Sequence, residues 1–157
     1  MKKLSRLLVY TILFGLLCSN AYGQVDAKMM LINEAKKEVG EVTSEQLKEM
    51  IDDEEVIVLD VRESEQRAEG YLFSDFTPVK TISITRGNLE WEVQSKIQDK
   101  ESMIVTYCRN GGRGALAAQA LKKMGYKNVK NLQGGISAWI KAGNPIKTGL
   151  GIQKIAK

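Results

Sequence analysis

The chain of 157 residues contains no histidine. That removes the commonest general base and the commonest metal ligand at a stroke. Any chemistry has to come from thiol, carboxylate, cation, hydroxyl or backbone groups, and neither a metal nor an organic cofactor is expected. Cysteine is nearly as scarce, with Cys18 and Cys108 alone. Long apolar runs are missing too: the longest, Leu7 to Leu17, covers eleven positions, where a membrane-spanning helix needs about 20.

That run has the layout of a secretory leader. Lys2, Lys3 and Arg6 precede it, and Ala21-Tyr22-Gly23 follows as a small-x-small cleavage signal. Residues 1–23 are therefore expected to be an export signal cleaved near Gly23, with the mature protein in the periplasm if the source is Gram-negative. An uncleaved anchor fits less well because the run is short. Lipid attachment at Cys18 fits less well because bulky Leu16 and Leu17 precede it. Cleavage removes three of the 23 cations and leaves 20 against 19 anions, so the basic balance is no argument for nucleic acid. It also leaves Cys108 as the only thiol, which rules out an internal disulfide and a thiol–disulfide cycle with its own resolving cysteine.

The remainder reads as one α/β domain. Residues 24–40 form an N-terminal helical extension, with Met29, Ile32, Ala35 and Val39 at helical spacing and Gly40 as a stop. Thr43 and Gln46 predict a capping box ahead of Leu47, Met50 and Ile51. Branched apolar runs at Val56–Leu59, Thr81–Ile84, Ser102–Tyr107 and Val129–Leu132 predict strands, the first ending in Asp60-Val61-Arg62. Helices are expected near 63–70, 87–97, 113–124 and 136–142, with Trp91 a half-buried anchor on the second. Strands alternating with helices imply a mostly parallel sheet covered on both faces. The tail, 144–157, is polar and expected to fray.

One loop concentrates the reactive features. A buried strand runs into Cys108-Arg109-Asn110-Gly111-Gly112-Arg113, and a helix opens at once. Open α/β sheets hold their sites at this end of the strands. The unpaired N–H groups and dipole of a helix N-terminus favour thiolate over thiol. Gly111 and Gly112 permit a nest of converging N–H groups, and Arg109 and Arg113 add positive charge. An inert buried cysteine is the plain alternative, but packing has no use for a flexible, cationic, donor-rich loop.

This loop, with Ala115-Leu116-Ala117-Ala118 and Leu121-Lys122-Lys123-Met124-Gly125-Tyr126 after it, resembles the active-site loop and helix of the rhodanese sulfurtransferases. Asn131-Leu132-Gln133-Gly134-Gly135-Ile136-Ser137-Ala138-Trp139 is similar to the family's late Gly-Gly-x-x-x-Trp signature, and Val58-Leu59-Asp60-Val61-Arg62-Glu63 to its Asp-Val-Arg strand end. The three occur in family order across residues 41–143. The resemblance implies a rhodanese-like fold and a sulfurtransferase in which Cys108 takes a sulfane sulfur from a donor such as thiosulfate. A Cys108 persulfide would pass that sulfur to a thiol, cyanide or a partner protein. Arg109, Asn110, Gly111, Gly112 and Arg113 would bind the small sulfur-containing anion, with Arg109 steering it and Arg113 either assisting or bracing the loop. Asp60 and Arg62 would support the loop from beneath, and Trp139 and Gly134-Gly135 would serve packing and a tight turn.

The chain departs from the family where Gly70-Tyr71-Leu72 and a longer Phe73–Lys80 stretch stand for Gly-His-Ile and a short Pro-Gly-Ala, near the expected mouth of the site. Two rivals share the fold. A phosphatase or arsenate reductase has a loop one residue longer, with Arg at the seventh position, whereas here Arg113 is the sixth and Gly114 follows. A binding module of the same family, non-catalytic or sulfur-carrying, is the other; the non-catalytic kind ordinarily lacks the cysteine, and Cys108 is present. Neither nucleic acid nor stable membrane insertion after cleavage is expected among its partners.

Overall fold

Val56–Asp60 and Met103–Tyr107 are runs of branched and aromatic residues, apolar on both sides of the strand apart from Asp60 and Thr106, and only the middle of a covered sheet suits such runs. In the computed structural model, which describes residues 26–53 and 56–154, they are the two strands at the centre of the fold. Two units are distinguished. Met1–Met30 contributes the opening turn of helix α1 (Ala27–Val39), and Leu31–Lys157 holds the remainder. The following elements are β1 (Glu41–Val42), α2 (Ser44–Asp52), β2 (Val56–Asp60), α3 (Ser64–Ala68), β3 (Tyr71–Leu72) and β4 (Thr81–Ser83). After a 3-10 turn at Arg86–Asn88 come α4 (Leu89–Lys96), β5 (Met103–Tyr107), α5 (Gly112–Lys123), β6 (Val129–Leu132), α6 (Gly135–Lys141), β7 (Ile146–Thr148) and β8 (Gly151–Gln153).

Five strands form one parallel sheet in the order β1-β6-β5-β2-β4. Parallel pairing needs a crossover after each strand, and the helices supply it. Side chains alternate across the sheet. Ile57, Leu59, Ile104 and Cys108 share one core with Val39 of α1, Leu89 and Val93 of α4 and Leu121 of α5. Val56, Val58, Val105 and Tyr107 share the other with Leu47 and Ile51 of α2 and Ile136 and Trp139 of α6. The sheet is thus covered on both faces, as its strand composition requires.

Local signals act where they occur. Thr43 Oγ1 accepts from Gln46 N at 3.2 Å and Gln46 Oε1 accepts from Thr43 N at 2.9 Å, a complete capping box on α2. Two expectations are corrected. Among the described residues of the tail the expected fraying is not found: Ile146–Thr148 and Gly151–Gln153 form an antiparallel hairpin whose first strand pairs with Tyr71–Leu72. It is anchored where Trp139 Nε1 donates to Pro145 O, six residues further along the chain, at 2.8 Å. Trp91 is 87% exposed, no anchor at all. Leu89 and Val93 turn the core-facing side of α4 inward. Position 91, two residues from each, falls on the opposite side.

This orientation of α4 is testable. Leu89→Ala should lower unfolding stability in urea by about 2–5 kcal/mol. Trp91→Ala should stay within about 0.5 kcal/mol of the parent. Comparable losses from both would mean the helix is turned differently.

Candidate functional site

β5 is the middle strand of the parallel sheet, so its end opens between two neighbours, and Cys108 is the first residue beyond it. The thiol-bearing residue is buried, 3% exposed, and packs among Val61, Ile84 and Ala117 on the α5 side. The chain then turns through Gly111, whose φ of 87° only glycine adopts without strain. α5 opens at Gly112, and its first helical hydrogen bond runs from Ala115 N to Gly111 O. Among the described residues, no backbone carbonyl accepts from the N–H groups of Arg109 to Gly114. Six successive donors without backbone partners, at the start of a helix of 12 residues, are an arrangement that can accept an anion.

Beneath the loop lies a buried polar cluster. Asp60 ends β2 directly beside Tyr107 of β5. Its carboxylate accepts from Tyr107 Oη at 2.6 Å, Arg62 Nη2 at 2.6 Å, Arg62 Nε at 2.9 Å and Arg62 N at 3.0 Å. Arg62 also donates to Gln66 O at 2.9 Å and Gly70 O at 2.7 Å, drawing α3 and the chain after it toward β2. Burial opposes the Arg62 charge, but the hydrogen bond to Asp60, the electrostatic attraction of the neighbouring Tyr107 oxygen and the Asp60 charge outweigh it, so the guanidinium is held more firmly protonated than usual. Burial, reinforced by the Asp60 charge and hydrogen bond, holds the Tyr107 phenol well above its ordinary range. Tyr107 therefore stays a neutral donor.

The two loop arginines differ. Arg113 is engaged, with Nη1 3.3 Å from Glu63 Oε1 and Nη2 donating to Gln66 Oε1. It braces the loop against α3. Arg109 is exposed, and its side chain has no hydrogen-bond or ion-pair partner among the described residues. It borders a cavity of about 150 Å³ with Arg62, Gln66, Glu69, Gly70, Ile136, Ser137, Ile140 and Ile146. No residue of the long Phe73–Lys80 stretch lines this cavity, and only Gly70 represents the departing segment there.

The structure thus gathers Cys108, Arg109, Asn110, Gly111, Gly112 and Arg113 into one loop with Asp60 and Arg62 under it. Four further residues contribute that the sequence alone did not assign to the site. Tyr107 completes the Asp60 cluster, and its place next to Cys108 on the opposite sheet face was a usable signal. Ile32 of α1 comes against Gly112, with its Cδ1 3.0 Å from where a β-carbon would stand. Ile136 N and Ser137 N donate to Cys108 O at 2.9 Å and Arg109 O at 3.1 Å, and Ser137 Oγ donates to Asn110 Oδ1 at 3.1 Å. Those contacts join segments far apart in the chain. Among the described residues there is no cluster of carboxylates and thiols fit to hold a metal ion.

With this geometry in place, a family model described as "Rhodanese-like domain" matches residues 43–142. The chain belongs to the rhodanese-like family. A protein of Allochromatium vinosum named a sulfurtransferase is 34% identical over 110 residues, which cover 69% of this chain and 94% of that protein. Thiosulfate sulfurtransferase GlpE of Actinobacillus succinogenes is 29% identical over 115 residues, 73% of this chain and 96% of its own. A solved Rhodopseudomonas palustris protein of unknown function, described as a possible tyrosine phosphatase, superposes with a TM-score of 0.67 at 27% identity. The match covers 79% of this chain and 96% of that one. Relatives named as sulfurtransferases support a sulfur-transfer role for this rhodanese-like chain. No helix among the described residues is long and apolar enough to cross a membrane, and the expected leader, residues 1–23, lies outside them.

The Tyr107 phenol gives the fold an alkaline signature. Its proton is retained in the folded state where an unfolded tyrosine loses it. Its contribution to stability is therefore complete below about pH 10 and is lost as pH rises through the folded value. Tyr107→Phe should lower stability at neutral pH by about 1–3 kcal/mol, since a buried carboxylate loses a donor, and should make the decline above about pH 10 shallower. Urea titrations from neutral to alkaline pH check both. An equally steep decline in the variant would contradict the assignment.

Proposed function

We propose that this protein is a sulfurtransferase that carries a sulfane sulfur as a persulfide on Cys108, with thiosulfate a competent donor. The observation that carries the reading is the run of N–H groups without backbone acceptors that follows Cys108 into α5. Such a loop can stabilise the terminal sulfur anion of a persulfide.

In the first half-reaction the Cys108 thiolate attacks the terminal sulfur of thiosulfate. The new bond joins Cys108 Sγ to that sulfur, the sulfur–sulfur bond of thiosulfate breaks, and sulfite leaves with the electron pair. In the second, a nucleophile such as cyanide or a thiolate attacks the outer sulfur. The Sγ–sulfur bond breaks, the sulfur leaves on the acceptor, and the Cys108 thiolate returns. No histidine or other proton carrier is needed, because both nucleophiles enter as anions. Arg109, exposed and unpartnered, attracts the anionic donor, while Arg113, tied to Glu63 and Gln66, keeps the loop in shape. Asp60 and Arg62 act below the loop as supports. Residues 1–23 act as an export leader in this reading, so the exported protein works with one thiol and hands its sulfur to a separate acceptor.

The decisive measurement is intact mass after incubation with thiosulfate, beside turnover with cyanide. The parent should gain one sulfur atom and form thiocyanate, and Cys108→Ser should do neither. No added sulfur and no turnover with several donors would remove the sulfurtransferase reading. Hydrolysis of an aryl phosphate, abolished in Cys108→Ser, would favour phosphatase chemistry instead. Arg109→Ala should raise KM several-fold for anionic donors and leave neutral donors less affected. An equal loss for both would show that the arginine does not steer by charge.

A further inference from the structure

We infer that the Gly134-Gly135 turn and the first residues of α6 are positioning residues for the Cys108 loop, holding its carbonyls away so that its N–H groups are presented together. The inference rests on the loop being the reactive centre proposed above, and it is carried by a three-residue register between two distant segments. Ile136 N donates to Cys108 O at 2.9 Å, Ser137 N donates to Arg109 O at 3.1 Å, and Ser137 Oγ donates to Asn110 Oδ1 at 3.1 Å. Three consecutive residues of the loop are thus held by two consecutive residues of α6.

The consequence follows from peptide geometry. In a trans peptide the C=O and the following N–H point in opposite directions, and the unit is planar and stiff. Turning the Cys108 and Arg109 carbonyls toward α6 turns the N–H groups of Arg109 and Asn110 the other way. These are the first two donors of the unpaired run. Without the α6 donors, both peptides could rotate and bring a carbonyl oxygen toward an anionic sulfur, which would repel it. The α6 amides thereby set the sign of the field the loop presents.

The two glycines can be told apart. Both are left-handed, with φ of 68° at Gly134 and 62° at Gly135. A methyl group on Gly134 would meet Ala138 Cβ at 2.7 Å, inside α6 itself. A methyl group on Gly135 would overlap the carbonyl oxygens of Cys108 and Arg109, the latter at 2.7 Å. If the pair were merely a tight turn, the two positions would be equivalent in their effect on Cys108. A methyl group would meet the loop only at Gly135, although Gly134 N itself lies 3.1 Å from where a β-carbon on Gly111 would stand.

The full chain with Gly134→Ala, Gly135→Ala, Ser137→Ala and Ser137→Pro separates these cases. Proline in the first turn of a helix is tolerated, so Ser137→Pro removes the N–H donor to Arg109 O while Ser137→Ala keeps it. The first readout is the rate at which iodoacetamide alkylates Cys108, which needs no sulfur transfer. The second is kcat against KM in the thiosulfate–cyanide assay. Gly134→Ala and Gly135→Ala should both lose stability from backbone strain, but only Gly135→Ala should slow alkylation, by roughly tenfold for two weakened hydrogen bonds. It should lower kcat with KM for thiosulfate little changed. Ser137→Pro should be slower than Ser137→Ala in both assays. Equal slowing in the two glycine variants, or identical behaviour of the two Ser137 variants, would overturn the inference. If Gly135→Ala fails to fold, the Ser137 pair decides alone. A parent that takes up no sulfur, while the alkylation contrast holds, would defeat the sulfurtransferase reading and leave the positioning role standing.

Discussion

A carboxylate with no exposed surface sits at the end of β2, and the architecture around the site follows from satisfying it. A buried charge is tolerable only when paired and fully hydrogen-bonded. Asp60 meets that demand with the Arg62 guanidinium, the Arg62 amide and the Tyr107 hydroxyl. The Tyr107 bond needs β2 and β5 in the register that sets Asp60 beside Tyr107. The Arg62 bonds bring α3 back toward the sheet through Gln66 O and Gly70 O. One unexposed charge thereby ties two strand ends, a helix and a turn, and Cys108 is the residue that follows the tied strand.

Above that base the loop is governed by opposite treatment of its two kinds of backbone group. Its first carbonyls are taken up by α6, and its N–H groups receive no backbone partner among the described residues. Ordinary secondary structure satisfies both. Leaving donors open while closing acceptors makes a backbone that favours negative charge without using a side chain, which suits a chain without histidine. The two arginines differ: Arg113 holds the loop to α3 through Glu63 and Gln66, and Arg109 is exposed with no side-chain partner among the described residues.

Much of the fold was legible because its signals are local. Four strands of the main sheet, the six helices and the capping box at Thr43 follow from side-chain pattern and from residues three apart. The failures have one cause. β1 and β3 are each two residues long, too short to carry a period. The β7–β8 hairpin exists because β7 finds β3 and Trp139 finds Pro145, pairings between residues that look unremarkable in their own neighbourhoods. Trp91 was misread because aromatic side chains usually seek cover, and only the packing of Leu89 and Val93 shows which side of α4 is covered.

The site divides along the same line. By itself the sequence determined that a lone thiol follows a buried strand and opens a glycine-rich, cationic loop into a helix. Each of those features is set by neighbours along the chain. Only the tertiary structure decided that Tyr107 joins Asp60 and Arg62, that Arg113 is bound and Arg109 is not, and that Gly135 lies against the Cys108 carbonyl. These are relations between strand ends and loops separated by 20 residues or more, and a hydrogen bond depends on distance and direction in space. Sequence order records neither.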